Sequence, residues 1–343
     1  MASFFNRQPP MATHFLLEVG RETIVEDCLQ KIIHMSKKAG QADPLKLPII
    51  LRFKDEPGID EGGVRKEFFQ LIMAELFSST YGMFKHNEDT QLYWFNGKSM
   101  EPPIYFELVG SLMGIALHNG LNINVPLAPV VFKLLFGERP DMSDMLIWQP
   151  ELANSLQFIL DYEDHAKKPL EDIVCRTFSV DVESFGSIES IDLIPNGSEI
   201  VVNKENREHF VRQYIEYEFQ RQCAVQFASF KKGFERLADT SFLKDVLNAD
   251  ELEQTICGER KLNFAELKDG ARYCNGYTRE CKEMTWFWDI VLNEWDEAKR
   301  RKLLTFSTGS DRAPVSGLKH MKFYIIKDGD EEEKLPTSHT CFN

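Results

Sequence analysis

The chain has 343 residues, a formal net charge of -14 at neutral pH, and 43% hydrophobic and 27% charged residues. That length exceeds what one hydrophobic core usually serves, so two lobes joined by a hinge are expected. The negative charge opposes nucleic acid and anionic membrane as partners and favours basic or mixed-charge protein surfaces.

Residues 1–14 read as a tag or flexible linker, with Pro9-Pro10 and no periodicity, and "MASFFNRQPP" lacks the apolar core of a secretory leader. "RETIVEDCLQKIIHM" places Ile24, Val25, Cys28, Leu29, Ile32 and Ile33 at helical spacing. "LPIILRF" (47–53) predicts a strand, and Pro57-Gly58 a turn after which Asp60 can cap a helix over "VRKEFFQLIMAELF". "QLYWFN" suggests a short strand. The helix predicted over 104–120 contains the longest apolar stretch, yet Glu107 and His118 interrupt it and it is too short to span a bilayer. Gly110 and Gly114 would let that helix pack closely.

From Pro150 the pattern changes. "PELANSLQFILDYEDH" sets Leu152, Leu156, Ile159 and Tyr162 on one helical face, "IVCRTFSVDV" alternates as a strand does, and 202–237 reads as one long helical run capped by Asn203. "FLKDVLNADELEQTI" predicts two short helices closed at Cys257-Gly258, where glycine suits a helix C-terminus and a boundary is expected. Beyond it come "FAELKDGARY", a helix broken near Asn293, and a strand in "KFYIIKDG". Strands and helices intermixed over so few residues predict a small α/β lobe.

The seven cysteines are scattered and odd in number with no Cys-x-x-Cys, which points to reduced thiols in a cytoplasmic or nuclear setting. Their spacing also argues against a structural metal. "GIDEGGVRKEFF" is no phosphate loop, because Asp60 and Glu61 would sit beside the phosphates and no Gly-Lys-Ser/Thr follows. The ending "LPTSHTCFN" is not a prenylation signal, since Cys341 is third from the end rather than fourth. Papain-like chemistry needs a histidine downstream of the nucleophile, and none follows Cys341. By itself Cys341 can be an inert buried thiol or a nucleophile of another sort. On an extended segment His339 would face the same side about 6 to 7 Å away, close enough to favour the thiolate electrostatically.

Taken in order, "DEGGVRKEFF", "YGMFKHNEDTQLYWFN", "FKKGFERL", "ICGERKLNFAEL", "GYTRE", "FWDIV", "STGSDRAPVSGL" and "LPTSHTCFN" closely resemble HECT-type ubiquitin ligases, nearest their HERC-like branch, from about residue 15 onward. The resemblance implies an α+β, bilobal HECT fold: a larger, mostly helical N-lobe over 15–257, a hinge at Gly258, Glu259 and Arg260, and a smaller α/β C-lobe from 261 to 343. It also implies that Cys341 in "HTCF" accepts ubiquitin as a thioester from a charged conjugating enzyme (E2) and passes it to lysines of protein substrates. No cofactor, metal or membrane insertion is implied. His339 and Thr340 would position the thioester, with Arg312 supporting their loop.

Residues from about 145 to 220 would hold the E2, through Leu152, Leu156, Ile159, Tyr162, Phe210 and Tyr214, with Val174 on the intervening strand and Phe210 as an exposed aromatic anchor. Family members continue past "HTCFN" with a further strand, a helix and a tail completing the C-lobe. A chain ending at Asn343 would set a carboxylate two residues from the thiol and disfavour the thiolate. The sequence therefore implies impaired transfer by this polypeptide, the alternative being an E2-binding module that does not turn over.

Overall fold

The computed structural model describes residues 13–37, 43–56, 63–163, 168–184, 186–259, 262–308, 312–313, 317–329 and 335–338. In chain order the first elements are β1 (Phe15–Val19), α1 (Ile24–Lys37), β2 (Ile49–Phe53), α2 (Gly63–Leu76), β3 (Phe84–Asn87), β4 (Leu92–Phe95) and α3 (Pro103–His118). They are followed by α4 (Val130–Leu135), α5 (Met142–Trp148), α6 (Pro150–Asp161), α7 (Leu170–Val174), β5 (Ser179–Ser184), β6 (Ser187–Asp192), α8 (Arg207–Phe219), α9 (Ala224–Glu235), α10 (Thr240–Val246) and α11 (Ala249–Cys257). Past Gly258 come α12 (Phe264–Gly270), β7 (Arg272–Cys274), α13 (Lys282–Asp289), a π turn at Ile290–Glu294, α14 (Glu297–Thr308) and β8 (Tyr324–Ile326).

Helices carry the architecture, and the strands pair only in twos among the described residues. The β1–β2 and β7–β8 pairs are parallel, and β3–β4 and β5–β6 are antiparallel hairpins. The burial of β1 and β2 alternates, with Phe15, Leu17 and Val19 facing the core beside Ile49, Leu51 and Phe53, as the two-residue period of a strand requires.

Buried apolar side chains fall into two clusters, one running from Phe15 to Cys257 and a smaller one from Phe264 to Phe323. This is an α+β fold with two cores, the first mostly helical and the second smaller, and the chain passes from one to the other between Cys257 and Phe264. At the centre of the large lobe α3 is buried on nearly every side, from Phe106 through Ala116, the condition of a helix that is apolar all round. Its closest neighbour is α9. A Cβ on Gly110 would lie 1.9 Å from the Phe230 carbonyl oxygen, and one on Gly233 would lie 2.0 Å from that of Glu107. Glycines on both helices let the backbones touch, and Ser111 turns its hydroxyl back onto the Glu107 carbonyl at 2.8 Å.

Two expectations need correction. Val174 is not on a strand: Leu170–Val174 forms a helical turn closed by Cys175 in the left-handed conformation (φ 48°), and the strand begins only at Ser179. The run 202–237 is not one helix. A 3-10 turn at Arg221–Cys223 separates α8 from α9, where the backbone crosses Gly97 so closely that a Cβ there would sit 1.7 Å from the Gln222 carbonyl oxygen. Asn203 caps the turn before α8, its side-chain oxygen accepting from the backbone N–H of Glu205 and Asn206. The Asp60 cap lies outside the described residues. No helix among the described residues is long and apolar enough to cross a membrane.

Candidate functional site

The α5–α6 corner is set by local chemistry. Asp141 caps α5 in a reciprocal box with Asp144, and Gln149 ends α5 while Pro150 occupies the first turn of α6, where its missing N–H is harmless. Trp148 at the end of α5 donates its indole N–H to Glu218 of α8 at 3.2 Å. Burial raises the pKa of the Glu218 carboxyl, against the pull of Lys85.

Helix α6 presents two apolar faces. Ala153, Leu156 and Ile159 are buried in the larger core, with Leu152 and Tyr162 half-buried beside it. On the other side Phe158 is 52% exposed, its ring 5.7 Å from that of Tyr162. The Tyr162 hydroxyl donates to the Lys168 carbonyl, and Arg207 donates to the Tyr162 carbonyl, which fixes the end of α6. Between α6 and α7 lies an open cleft of about 430 Å³ lined by Asn154, Ser155, Phe158, Ile159, Val174 and Arg176. Ile173 is exposed nearby in sequence, on α7, and Leu146 and Ile147 of α5 are also exposed.

Of the seven residues expected in an E2 groove, Ile159 and Val174 line this cleft. Leu156 and Phe210 are interior. Phe210 is only 2% exposed and packs edge-on against Phe178 and Tyr214, so the expectation of an exposed aromatic there is corrected. Burial pushes the Tyr214 phenol up to about 12. The outward aromatic is Phe158, which sequence reading passed over. Its signal was present, because it falls off the Leu152-Leu156-Ile159 stripe and an aromatic off the stripe of a surface helix has no core to enter.

A second constellation surrounds Gly258. Helix α11 begins with a capping box between Asn248 and Glu251 and ends at Gly258, whose φ of 77° favours glycine. A Cβ there would lie 2.3 Å from the Ala313 carbonyl oxygen. Glu259 and Ala313 exchange backbone hydrogen bonds of 2.8 and 3.3 Å, and Arg312 reaches Glu253 of α11 at 3.3 Å. Arg312 thus meets the last helix of the larger lobe. Arg260, His339, Thr340 and Cys341 lie outside the described residues. Six cysteines are described and all are free thiols: Cys28, Cys223 and Cys257 are buried, Cys175 is exposed, and Cys274 and Cys281 are intermediate. Among the described residues no three His, Cys, Asp or Glu side chains gather as a metal site.

Comparison with known proteins supplies the family. The family model for the HECT-domain (ubiquitin-transferase) matches residues 70–343. The chain is 36% identical over 328 residues to "Probable E3 ubiquitin-protein ligase HERC4" of Homo sapiens, a match covering 96% of this chain and 30% of that protein. It is 32% identical over 352 residues to "Probable E3 ubiquitin-protein ligase HECTD2" of Mus musculus, covering 98% and 44% respectively. It is 30% identical over 354 residues to "Probable E3 ubiquitin-protein ligase HUL4" of Eremothecium gossypii, covering 98% and 41%. The chain therefore spans between 30% and 44% of the length of these relatives. With the model matched over most of the sequence and relatives aligned across nearly all of it, this chain belongs to the HECT-domain (ubiquitin-transferase) family.

Proposed function

We propose that this chain is the ubiquitin-transferring region of an E3 ligase that carries ubiquitin as a thioester on Cys341. The observation that carries the reading is the family match, which runs to residue 343 and so includes "HTCF". The E2 docks on the cleft between α6 and α7, where Phe158, Ile159 and Val174 present apolar surface and an exposed aromatic can serve as the anchor of a transient interface. Leu156 and Phe210, both buried in the larger core, support this surface from behind. Leu152, Tyr162 and Tyr214 edge the same packed layer.

In the transfer, the Cys341 sulfur attacks the carbonyl carbon of the thioester joining ubiquitin to the E2. The new C–S bond forms, the old one breaks, and the E2 sulfur leaves and takes up a proton. One thioester replaces another of similar energy, so no nucleotide is consumed. A thiol of ordinary pKa, near about 8.5, is a few per cent thiolate at neutral pH, so modest help from His339 would matter. A substrate lysine amine then attacks the same carbonyl, and the Cys341 thiol departs as the isopeptide bond forms. Thr340 and His339 hold the thioester, while Gly258, Glu259 and Arg260 let the smaller lobe face first the E2 and then the substrate. Such chemistry needs no metal or cofactor and suits a cytoplasmic or nuclear protein.

The test is discharge of a ubiquitin-charged E2 by a protein carrying this sequence, followed on gels without reductant. A thiol-sensitive ubiquitin adduct that disappears in Cys341→Ser is the expected result. E2 binding that Phe158→Ala abolishes, with no adduct in the parent, would instead establish a binding module without turnover.

A further inference from the structure

Helices α5 and α6 are separated by one non-helical residue, Gln149 (φ -135°, ψ 82°), so two dihedral angles set the direction in which α6 leaves α5. The residue before it, Trp148, is 1% exposed and is held at both ends. Its carbonyl accepts from the Asn87 side-chain amide at 2.7 Å and from the Thr90 hydroxyl at 3.4 Å, both at the β3–β4 turn. Its indole N–H reaches the Glu218 carboxylate of α8 at 3.2 Å. The rest of the hold on α6 comes from buried Ala153, Leu156 and Ile159. Apolar packing is non-directional, whereas a hydrogen bond has a preferred angle, so the bonds at Trp148 fix orientation at the corner.

A glutamine at 218 would accept the indole N–H without charge. The carboxylate that stands there is half-buried and can lose its charge. Burial pushes it above the ordinary glutamate value, while Lys85, the indole N–H and the Gln222 side chain pull it down. Gln222 ties Lys85 of β3 into place, accepting from its ammonium at 2.9 Å and donating to the Glu218 backbone carbonyl at 2.6 Å. The other titratable groups facing the carboxyl are Tyr214 and Tyr217 of α8 itself and Cys223 of the turn that follows. Burial pushes all three upward, so they stay neutral where Glu218 titrates. As pH falls through the raised value, the carboxyl takes up a proton and the indole keeps only a neutral acceptor. That proton does not weaken the fold, because a carboxyl raised in the folded state binds it more tightly folded than unfolded. The change is local to the corner.

We infer that Glu218 is a positioning residue for E2 docking: through the Trp148 indole its carboxylate sets the direction of α6, and E2 affinity falls when that carboxylate takes up a proton. The inference rests on docking at the α6–α7 cleft, and it adds a chemical control on the helix that carries Phe158.

The experiment follows the Trp148 indole N–H by NMR and E2 affinity by titration calorimetry, from roughly pH 8 to pH 5, the range into which burial can lift a carboxyl. The proteins are the parent chain, Glu218→Gln and Lys85→Met. The indole signal is the one absent from Trp148→Phe or, should that variant not fold, the one that differs between the parent and Glu218→Gln. In the parent the signal is expected to move with pH. E2 affinity is expected to fall along the same curve by about threefold to tenfold, the ratio between a charged and a neutral hydrogen bond. Glu218→Gln is expected to show neither change and to bind at neutral pH as weakly as the parent does in acid. Lys85→Met, which removes a charge that pulls the carboxyl down, is expected to shift both curves to higher pH. Titration of the E2 itself is common to parent and variants and cancels in the comparison, and melting curves separate folding from docking.

An indole signal indifferent to pH in the parent, or the same affinity profile in the parent and Glu218→Gln, would overturn the inference. Phe158→Ala binding the E2 as tightly as the parent would overturn the docking reading and the inference with it. Phe158→Ala abolishing binding, with Glu218→Gln leaving it unchanged, would keep the docking reading and remove the role of Glu218.

Discussion

Glycine at 110 and aspartate at 27 show how single residues carry unequal weight here. Gly110 has no room for a methyl group, since the Phe230 carbonyl oxygen would stand 1.9 Å from it and belongs to backbone that cannot rotate away. Gly110→Ala must therefore push α3 from α9, and it is expected to cost about 3 kcal/mol in denaturant unfolding, the upper range for overpacking. Gly82, with open space around its Cβ position but a φ of 57°, should lose only about 1 kcal/mol on the same change, from left-handed backbone alone.

Asp27 accepts hydrogen bonds from Lys54, from the Gly20 N–H and from the Thr23 hydroxyl, all at 2.7 or 2.8 Å, and these hold its carboxyl down at about 2. A carboxyl depressed in the folded state stabilises it above the unfolded pKa of about 4 and loses that contribution as pH falls through about 2. Asp27→Asn should therefore flatten the fall in unfolding free energy over that window, while wild type declines across it. Equal slopes in the two proteins would refute the assignment.

At the scale of an element, α6 separates stability from recognition on its two faces. Phe210 of α8 is buried in the same core, and Phe210→Ala should cost about 3 to 5 kcal/mol of stability, the range for emptying an aromatic site in a core. Phe158→Ala, at an exposed position, should stay within about 0.5 kcal/mol in stability yet weaken E2 binding by more than about tenfold if it is an anchor. Titration calorimetry paired with melting curves distinguishes the two. Binding unaffected by Phe158→Ala would remove the cleft as the docking surface.

Helical periodicity made α6 legible as an amphipathic helix and correctly grouped Leu152, Leu156 and Ile159. It could not say that Phe210 on α8 is interior, packed on Phe178 and Tyr214, because Phe178 comes from a distant part of the chain. The same limit hid Val174, where a hydrophobic pair ahead of a strand reads as its beginning until Cys175 is seen in the left-handed conformation.

Across the whole molecule, two separate cores imply two separable units. The smaller core groups eight buried apolar side chains among the described residues, from Phe264 to Phe323, a thin core for a lobe that must stand against chain entropy. Scanning calorimetry is expected to show two transitions, the smaller lobe melting first, and a lone two-state transition would mean that the contacts around Glu253 and Arg312 fuse the lobes into one cooperative unit.

The sequence by itself determined the family, the order of most helices and strands, and the glycine that closes α11, because these depend on residue type, spacing and neighbours a few positions away. Only the tertiary structure decided which apolar face of α6 is covered, that Phe210 is interior while Phe158 points outward, and that Arg312 finds its partner on α11. Those outcomes depend on which distant segments arrive beside one another, and a long-range contact leaves no periodic trace in the residues that make it.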